Sequence, residues 1–235
     1  NLALTQTTAP PLGASTGSSA SGNGSAFYAN VLYTPTTVDL NGLPFEHPID
    51  GRSVYYRGGN DIPNPNWLVK YTDANNDISR VSGKTAMTYN ILDNLSVTYR
   101  GGYDFYYEFQ EYIVNKGIGP GPANPDLNSG MYRTTHIRNG IWDHTGLINY
   151  SVDFNEDLNL GVLVGANARL DNFKRDGLES TGQNKFGFIE HGNFSNTSSR
   201  NSFTGGDIMY KQQNNLYGVY TSINLDYKSW LYLNL

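Results

Sequence analysis

The stretch Leu95-Ser96-Val97-Thr98-Tyr99-Arg100-Gly101-Gly102-Tyr103-Asp104-Phe105-Tyr106 decides how this chain folds. Side chains of a β-strand point alternately to opposite faces. One face therefore carries Leu95, Val97, Tyr99, Gly101, Tyr103 and Phe105, while Ser96, Thr98, Arg100, Gly102, Asp104 and Tyr106 share the other. The first face suits hydrocarbon and the second suits water. At roughly 3.3 Å per residue and a tilt of about 45°, the run from Leu95 to Phe105 rises about 25 Å, the depth a strand must cross in a bilayer.

The same pattern recurs. Trp142, Gly146, Ile148, Tyr150, Val152 and Phe154 alternate with Asp143, Thr145, Asn149, Ser151 and Asp153, and Tyr217, Val219, Thr221, Ile223, Leu225 and Tyr227 alternate with Gly218, Tyr220, Ser222, Asn224 and Asp226. Leu158, Leu160, Val162, Val164, Ala166, Ala168 and Leu170 form one side of a further run, and Val81, Gly83, Thr85, Met87 and Tyr89 of another. Aromatic rings at both ends of an apolar run match the interfacial girdles of membrane β-proteins. A single such strand fits a soluble sandwich equally well. Repetition at one height favours the membrane.

Composition agrees. In 235 residues there are 26 glycines and 18 tyrosines, and only 16% of residues are charged, which is unlike an average globular enzyme. No window of about 18 apolar residues exists for a transmembrane helix, and the negative mean hydropathy of −0.49 does not oppose a barrel, because alternation dilutes hydropathy. A net charge of −5 offers no basic stripe, so nucleic acid is not an expected partner. The absence of cysteine removes disulfide frameworks and thiolate chemistry.

The start of the chain, Asn1 to Pro10, has neither a basic region nor an apolar core of a signal peptide, and the final alternation Leu231, Leu233, Leu235 stops in mid-strand. An internal piece of a larger protein is expected. Residues 1–78 read as a loop-rich extracellular segment with short strands, because Pro10, Pro11, Pro35, Pro44, Pro48, Pro63 and Pro65 and the Ser/Gly run from Gly13 to Ser25 oppose long elements. Residues 79–235 read as barrel hairpins. Turns are expected at Ile91–Asn94, Asn155–Asp157 and Tyr227–Ser229, with long extracellular loops over 107–136 and 172–214. Short turns at one end and long loops at the other is the asymmetry of bacterial outer-membrane barrels.

Three stretches carry a family resemblance: Asn64-Pro65-Asn66-Trp67 followed by Arg80-Val81-Ser82-Gly83; Ile91-Leu92-Asp93-Asn94-Leu95 through Asp104; and Ser229-Trp230-Leu231-Tyr232-Leu233-Asn234-Leu235. From about Pro35 to its end, the chain resembles the barrel of SusC/RagA-type TonB-dependent outer-membrane transporters. The resemblance implies an all-β fold, part of a large antiparallel transmembrane β-barrel of 22 strands, of which about six would lie here. It also implies a plug domain, a TonB box and C-terminal strands outside this chain, a SusD-like surface lipoprotein as partner, the TonB complex as energy source, and outer-membrane lipid around the barrel.

Site chemistry is expected in the aromatic-rich ends of the strands. Trp67, Tyr106, Tyr107, Tyr112 and Tyr132, with Phe109 nearby, lie toward the outer end, where rings stack on sugars and Asn or Asp side chains bind hydroxyls. The competing expectation is that these rings pack loops together or meet a lid protein. Arg100, Asp104, Arg169 and Asp171 face the lumen and are expected to pair with one another or with a plug. Gly13-Ala14-Ser15-Thr16-Gly17 matches the nucleophile-elbow pattern without its strand and helix, and Asp73, Asn75 and Asp77 begin a calcium-loop pattern that fails at Ile78 and Lys84, so a polar turn is expected there. The four histidines, His47, His136, His144 and His191, lack zinc-site spacing and are expected in loops or at the rim. No catalytic residue, metal or cofactor is expected. The sequence reading is import of an oligosaccharide or peptide, with a plug-less porin or adhesin barrel and a secreted glycan-binding β-protein as alternatives.

Overall fold

The computed structural model describes residues 2–9, 31–32, 34–54, 64–118, 128–202 and 205–235. The nucleophile-elbow match at 13–17 lies outside them. Eight strands form one antiparallel sheet: β1 Leu2–Ala9, β2 Thr72–Leu92, β3 Leu95–Val114, β4 Met131–Asn155, β5 Leu158–Gln183, β6 Phe194–Ser198, β7 Tyr210–Tyr227 and β8 Leu231–Asn234. The order is β1-β2-β3-β4-β5-β7-β8, a meander in which chain neighbours are sheet neighbours. The short β6 pairs with β5 over Glu179–Gln183, beyond the Leu158–Arg175 segment that pairs with β7, so β6 and β7 follow one another along the same edge. Among the described residues no helix is long and apolar enough to cross a membrane.

The register brings the expected apolar faces into one surface. Across β2 to β5, Met87 meets Tyr99, Tyr99 meets Gly146 and Gly146 meets Ala166, which in turn meets Val219 of β7. The rung of Tyr89, Val97, Ile148 and Val164 does the same. A slip of one residue at any of these pairings would turn a whole strand inside out. This face is open: Tyr89 is 72% exposed, Trp142 51% and Val219 81%. A buried sandwich face would show none of this. His144 sits inside the band between Trp142 and Gly146 rather than at its rim, with Nδ1 2.7 Å from the Tyr99 hydroxyl and its ring parallel to Trp142.

The strands run longer than the apolar pattern. β4 has 25 residues and β5 has 26, about twice what the band needs. The expected loop at 107–136 shrinks to residues 115–130, and that at 172–214 to residues 184–209, which contain a 3-10 turn at His191–Asn193 as well as β6. Apolar alternation lapses where neither face of a strand is apolar, yet backbone pairing holds it extended regardless. The same reason moves the first hairpin arm into the segment expected to be loop-rich. Asp73, Asn75 and Asp77 lie in extended β2 rather than in a polar turn, and β1 pairs with β2 over Leu2–Ala9.

Over the polar face, at the end away from the short turns, sits a small dry core. Helix α1, Pro65–Tyr71, starts where Asn64 Oδ1 accepts from the Asn66 amide (2.9 Å) and Pro65 presets the first turn; it stops where Thr72 Oγ1 donates to the Leu68 carbonyl (2.6 Å). Trp67 and Leu68 are fully buried against Val114, Ile118 and Met131. The Trp67 indole donates to the Gly51 carbonyl at 2.7 Å, which fastens the 34–54 segment to the helix. Glu46 accepts from the Tyr71 hydroxyl and from Lys70 (2.9 Å), and these two contacts, Tyr71 first, hold its carboxyl below the usual range.

Glycines separate two kinds of strand contact. A Cβ on Gly177 would meet the Thr134 carbonyl and Cγ2 of Ile208 at 2.6 Å, whereas one on Gly146 meets nothing within 4 Å. Backbone cannot step aside as a side-chain end can. Gly177→Ala is expected to lower stability by about 1–3 kcal/mol, and Gly146→Ala to leave it unchanged, measured by thermal unfolding of the protein.

Candidate functional site

The polar face of the sheet is where chemistry-bearing side chains converge. Arg80 of β2 forks onto Asp104 of β3, with Nε 2.8 Å from Oδ1 and the second nitrogen on Oδ2. Their positions are diagonal across the ladder, since Arg80 stands opposite Tyr106 and Asp104 opposite Ser82. One step further up, the Tyr106 hydroxyl and Gln110 Nε2 (2.5 Å) both donate to the Glu108 carboxylate, which is nearly buried. Lower down, Asn167 Nδ2 reaches Asp143 Oδ1 (3.1 Å) and Thr145 Oγ1 (2.9 Å) across β4 and β5.

Directly beneath the dry core, Arg133, Tyr112 and Glu179 form a stack. The Arg133 guanidinium lies 4.9 Å from the centre of the Tyr112 ring and 3.2 Å from Glu179 Oε2, whose other oxygen accepts from the Ser202 amide at 2.8 Å. The charge is neutralised inside the fold. Beside the stack is a cavity of about 280 Å³ lined by Ala74, Asn75, Asn76, Gln110, Glu111, Tyr112, Arg133 and Thr135. Asn76 Oδ1 is buried there without a hydrogen-bond partner among the described residues. Such a surface offers amides, a hydroxyl and a ring; its cation, Arg133, is paired with Glu179, and its carboxylate, Glu111, accepts from the Tyr132 hydroxyl. A larger cavity of about 580 Å³ lies at the short-turn end, where Ser96, Asn149, Ser151, Ser222 and Asn224 line it.

The five aromatic residues expected at a solute site separate. Tyr106 and Tyr112 are on the polar face, Tyr112 at the cavity. Tyr107 and Tyr132 are on the opposite face: the Tyr107 hydroxyl is 2.9 Å from His136 Nδ1, and the Tyr132 ring packs against His191 at 4.5 Å and Phe194 at 6.3 Å while its hydroxyl donates to Glu111 (2.8 Å). Trp67 is fully buried in the core and presents no ring to a solute. Parity explains the correction. Neighbours in a strand cannot share a face, and 107–114 and 131–136 belong to strands rather than loops.

All four charged residues expected toward the lumen, Arg100, Asp104, Arg169 and Asp171, do share the polar face. Asp104 takes Arg80 as its partner and not another member of the four. Arg80, Glu108, Gln110, Arg133 and Glu179 are the polar-face residues that the sequence reading missed. Arg80 was legible as the alternate of Val81; Arg133 and Glu179 were not, because their direct pairing depends on the β4–β5 register.

No family model and no curated protein matches the chain. Among solved structures, a chain of the RagAB peptide transporter matches with a TM-score of 0.55 at 14% identity, over 77% of this chain and 19% of that one. The likeness is one of fold. The RagAB peptide importer gives a TM-score of 0.56 in both its open-open and its closed-closed state, at 13% and 14% identity, with the same shares covered. The chain spans about a fifth of the length of the chains it matches, at 19%.

Two outcomes test the site. Arg133→Met leaves Glu179 charged and buried, so it is expected to cost on the order of 3 kcal/mol, and Glu179→Gln added to it is expected to recover most of the loss in thermal unfolding. His191 lies between Thr134 Oγ1 (2.9 Å from Nε2) and Ser180 Oγ (2.8 Å from Nδ1), and burial lowers its pKa. A lowered histidine pKa means the folded state prefers the neutral ring; its contribution is complete above the unfolded value of about 6.5 and is lost as pH falls toward the folded value. The protection factors of the amides over 190–198, taken against intrinsic exchange at each pH, are therefore expected to fall between neutral and mildly acidic pH, and to lose that dependence in His191→Gln.

Proposed function

We propose that this chain is part of the wall of an outer-membrane barrel that imports an oligosaccharide or peptide, a SusC-like transporter driven through TonB and covered by a SusD-like lipoprotein. One observation carries the barrel reading: five long strands register their apolar alternations into one open, aromatic-edged face while every charged pair described above except those outside the band lies on the opposite face or at the ends. Lipid satisfies the first face and a water-filled passage the second. Because a bilayer offers no hydrogen bonds to backbone, ladder pairing is what lets such strands reside there.

The fold shared with the RagAB peptide transporter supports the transport reading, and the equal likeness to open-open and closed-closed states suits a static wall better than a moving part. The amide-rich cavity beside Tyr112, whose Arg133 is paired with Glu179, suits a solute dense in hydrogen-bonding groups. Peptide backbone and sugar hydroxyls both qualify. Energy coupling and the lipoprotein partner follow from the family resemblance.

The deciding experiment is uptake of labelled peptide and oligosaccharide mixtures by cells that express the intact parent protein. Uptake is expected to require the parent, to stop when the proton gradient is dissipated, and to favour one solute class. Uptake that persists without the gradient would establish a passive barrel instead. In the same protein, Val164→Arg at the middle of the apolar face is expected to destabilise the folded barrel by about 2–4 kcal/mol, and an unchanged unfolding midpoint would remove the membrane reading.

A further inference from the structure

Above the apolar band, on the same outward face, three cations stand side by side. Arg138 of β4 is directly opposite Lys174 of β5, and Lys174 is directly opposite Lys211 of β7. Like charges facing one another across a ladder are destabilising unless an anion intervenes. Asp176 is that anion in part: its carboxylate lies 3.0 Å from Lys174 and 3.4 Å from Arg138. The next carboxylate along the Asp176 rung is Asp77, reached through His136 and Phe109, three strands and about 14 Å away. One carboxylate against three cations leaves about two positive charges in one place, on a chain whose net charge is −5. Arg138 and Lys174 are each about half exposed.

The position is as informative as the charge. Arg138 lies four residues beyond Trp142 and Lys174 four beyond Leu170, where the continuous apolar alternation of their strands ends before Leu178 and Tyr132 resume it farther out, and Lys211 lies six beyond Tyr217. At roughly 3.3 Å per residue and a tilt of about 45° these cations stand about 9 to 14 Å above the edge of the band. Only the neutral Gly140, Asn172 and Gln213 occupy the rung between. Moving outward, the face therefore runs from hydrocarbon-compatible through neutral to cationic. An occupant must place acyl chains against the band and an anionic headgroup four residues higher. A solute in the passage lies on the other face and cannot reach this cluster.

We infer that Arg138, Lys174 and Lys211 form a binding site for the phosphate headgroup of a lipid in the outer leaflet, with Asp176 spacing the cations and limiting the site's charge. This rests on the reading of the sheet as the wall of an outer-membrane barrel. Three donors at strand spacing span about 10 Å, enough to grip a phosphorylated sugar headgroup from one side. The site would hold a boundary lipid in register with the barrel wall.

The test uses the intact parent protein in nanodiscs of phosphatidylcholine doped with phosphorylated lipid A or with its dephosphorylated form, with retained glycolipid read by native mass spectrometry. The phosphorylated form is expected to be retained preferentially. Neutralising one cation, as in Lys211→Gln, is expected to weaken retention about fivefold, and Arg138→Gln, Lys174→Gln and Lys211→Gln together on the order of a hundredfold. Asp176→Asn is expected to strengthen retention, a sign that a merely damaged fold would not give. Equal retention of the two lipid forms, weaker retention by Asp176→Asn, or release of the lipid by excess inorganic phosphate would each overturn the inference. A parent that never enters the nanodisc would remove the barrel reading and this inference with it, whereas one that inserts and resists denaturant yet shows no phosphate preference would remove this inference alone.

Discussion

The antiparallel ladder and its two-residue side-chain period govern everything else in this molecule. Between β2 and β7 the pairing is continuous over long stretches, so each strand's facing is set by its neighbours as much as by its own sequence. The register shifts within β2–β3 and β4–β5 fall between Asn90 and Leu92 and between Asp153 and Asn155, beside the short turns, where a bulge does not invert the rest of the strand. Glycines are covered by tyrosines on both faces: in the apolar band the Tyr103 ring lies over Gly83 and Tyr99 over Gly101, and on the polar face Tyr220 lies over Gly165. These rings fill the surface that a glycine leaves bare and leave no room for a larger residue without moving.

Two zones of different physics result. In the lower zone the sheet is one layer, with its apolar side open and its polar side laced by Arg80–Asp104 and by Asn167 with Asp143 and Thr145. In the upper zone the same strands carry Trp67, Leu68, Val114, Ile118 and Met131 as a compact core of ordinary globular character. Gln183 joins the two long connections there, with its Oε1 accepting from the Lys116 amide (2.9 Å) and its Nε2 donating to Asn115 Oδ1 (3.0 Å). Tyr112 belongs to both zones, packed against the core on one side and under Arg133 at the cavity on the other. The candidate solute surface is thus built on strands but held in place by the cap.

Much of the fold was legible because the signal is local. Alternation in 95–105, 142–154, 158–170 and 217–227 named the strands, their facing and the short turns, and the register confirms each facing. The polar-face placement of Arg100, Asp104, Arg169 and Asp171 followed from the same parity. What the reading lost lies outside the band. There, strands such as 107–114 and 131–137 carry polar residues on both sides, and a segment that needs no apolar face leaves no periodic trace. Tyr107 and Tyr132 lie in such segments, so no period separates them from loop aromatics, and nothing in Asn64-Pro65-Asn66-Trp67 shows that the Trp67 ring turns inward.

By itself, then, the sequence determined the two-faced character of the sheet, since a strand's period of two is a property of each residue's own backbone. Which residues meet was decided only by tertiary structure. Arg80 with Asp104, Arg133 with Glu179 and the rung of Arg138, Lys174 and Lys211 all depend on register between strands 20 or more residues apart in sequence. A strand's own residues specify which way its side chains point, and only the neighbouring strand specifies what they point at.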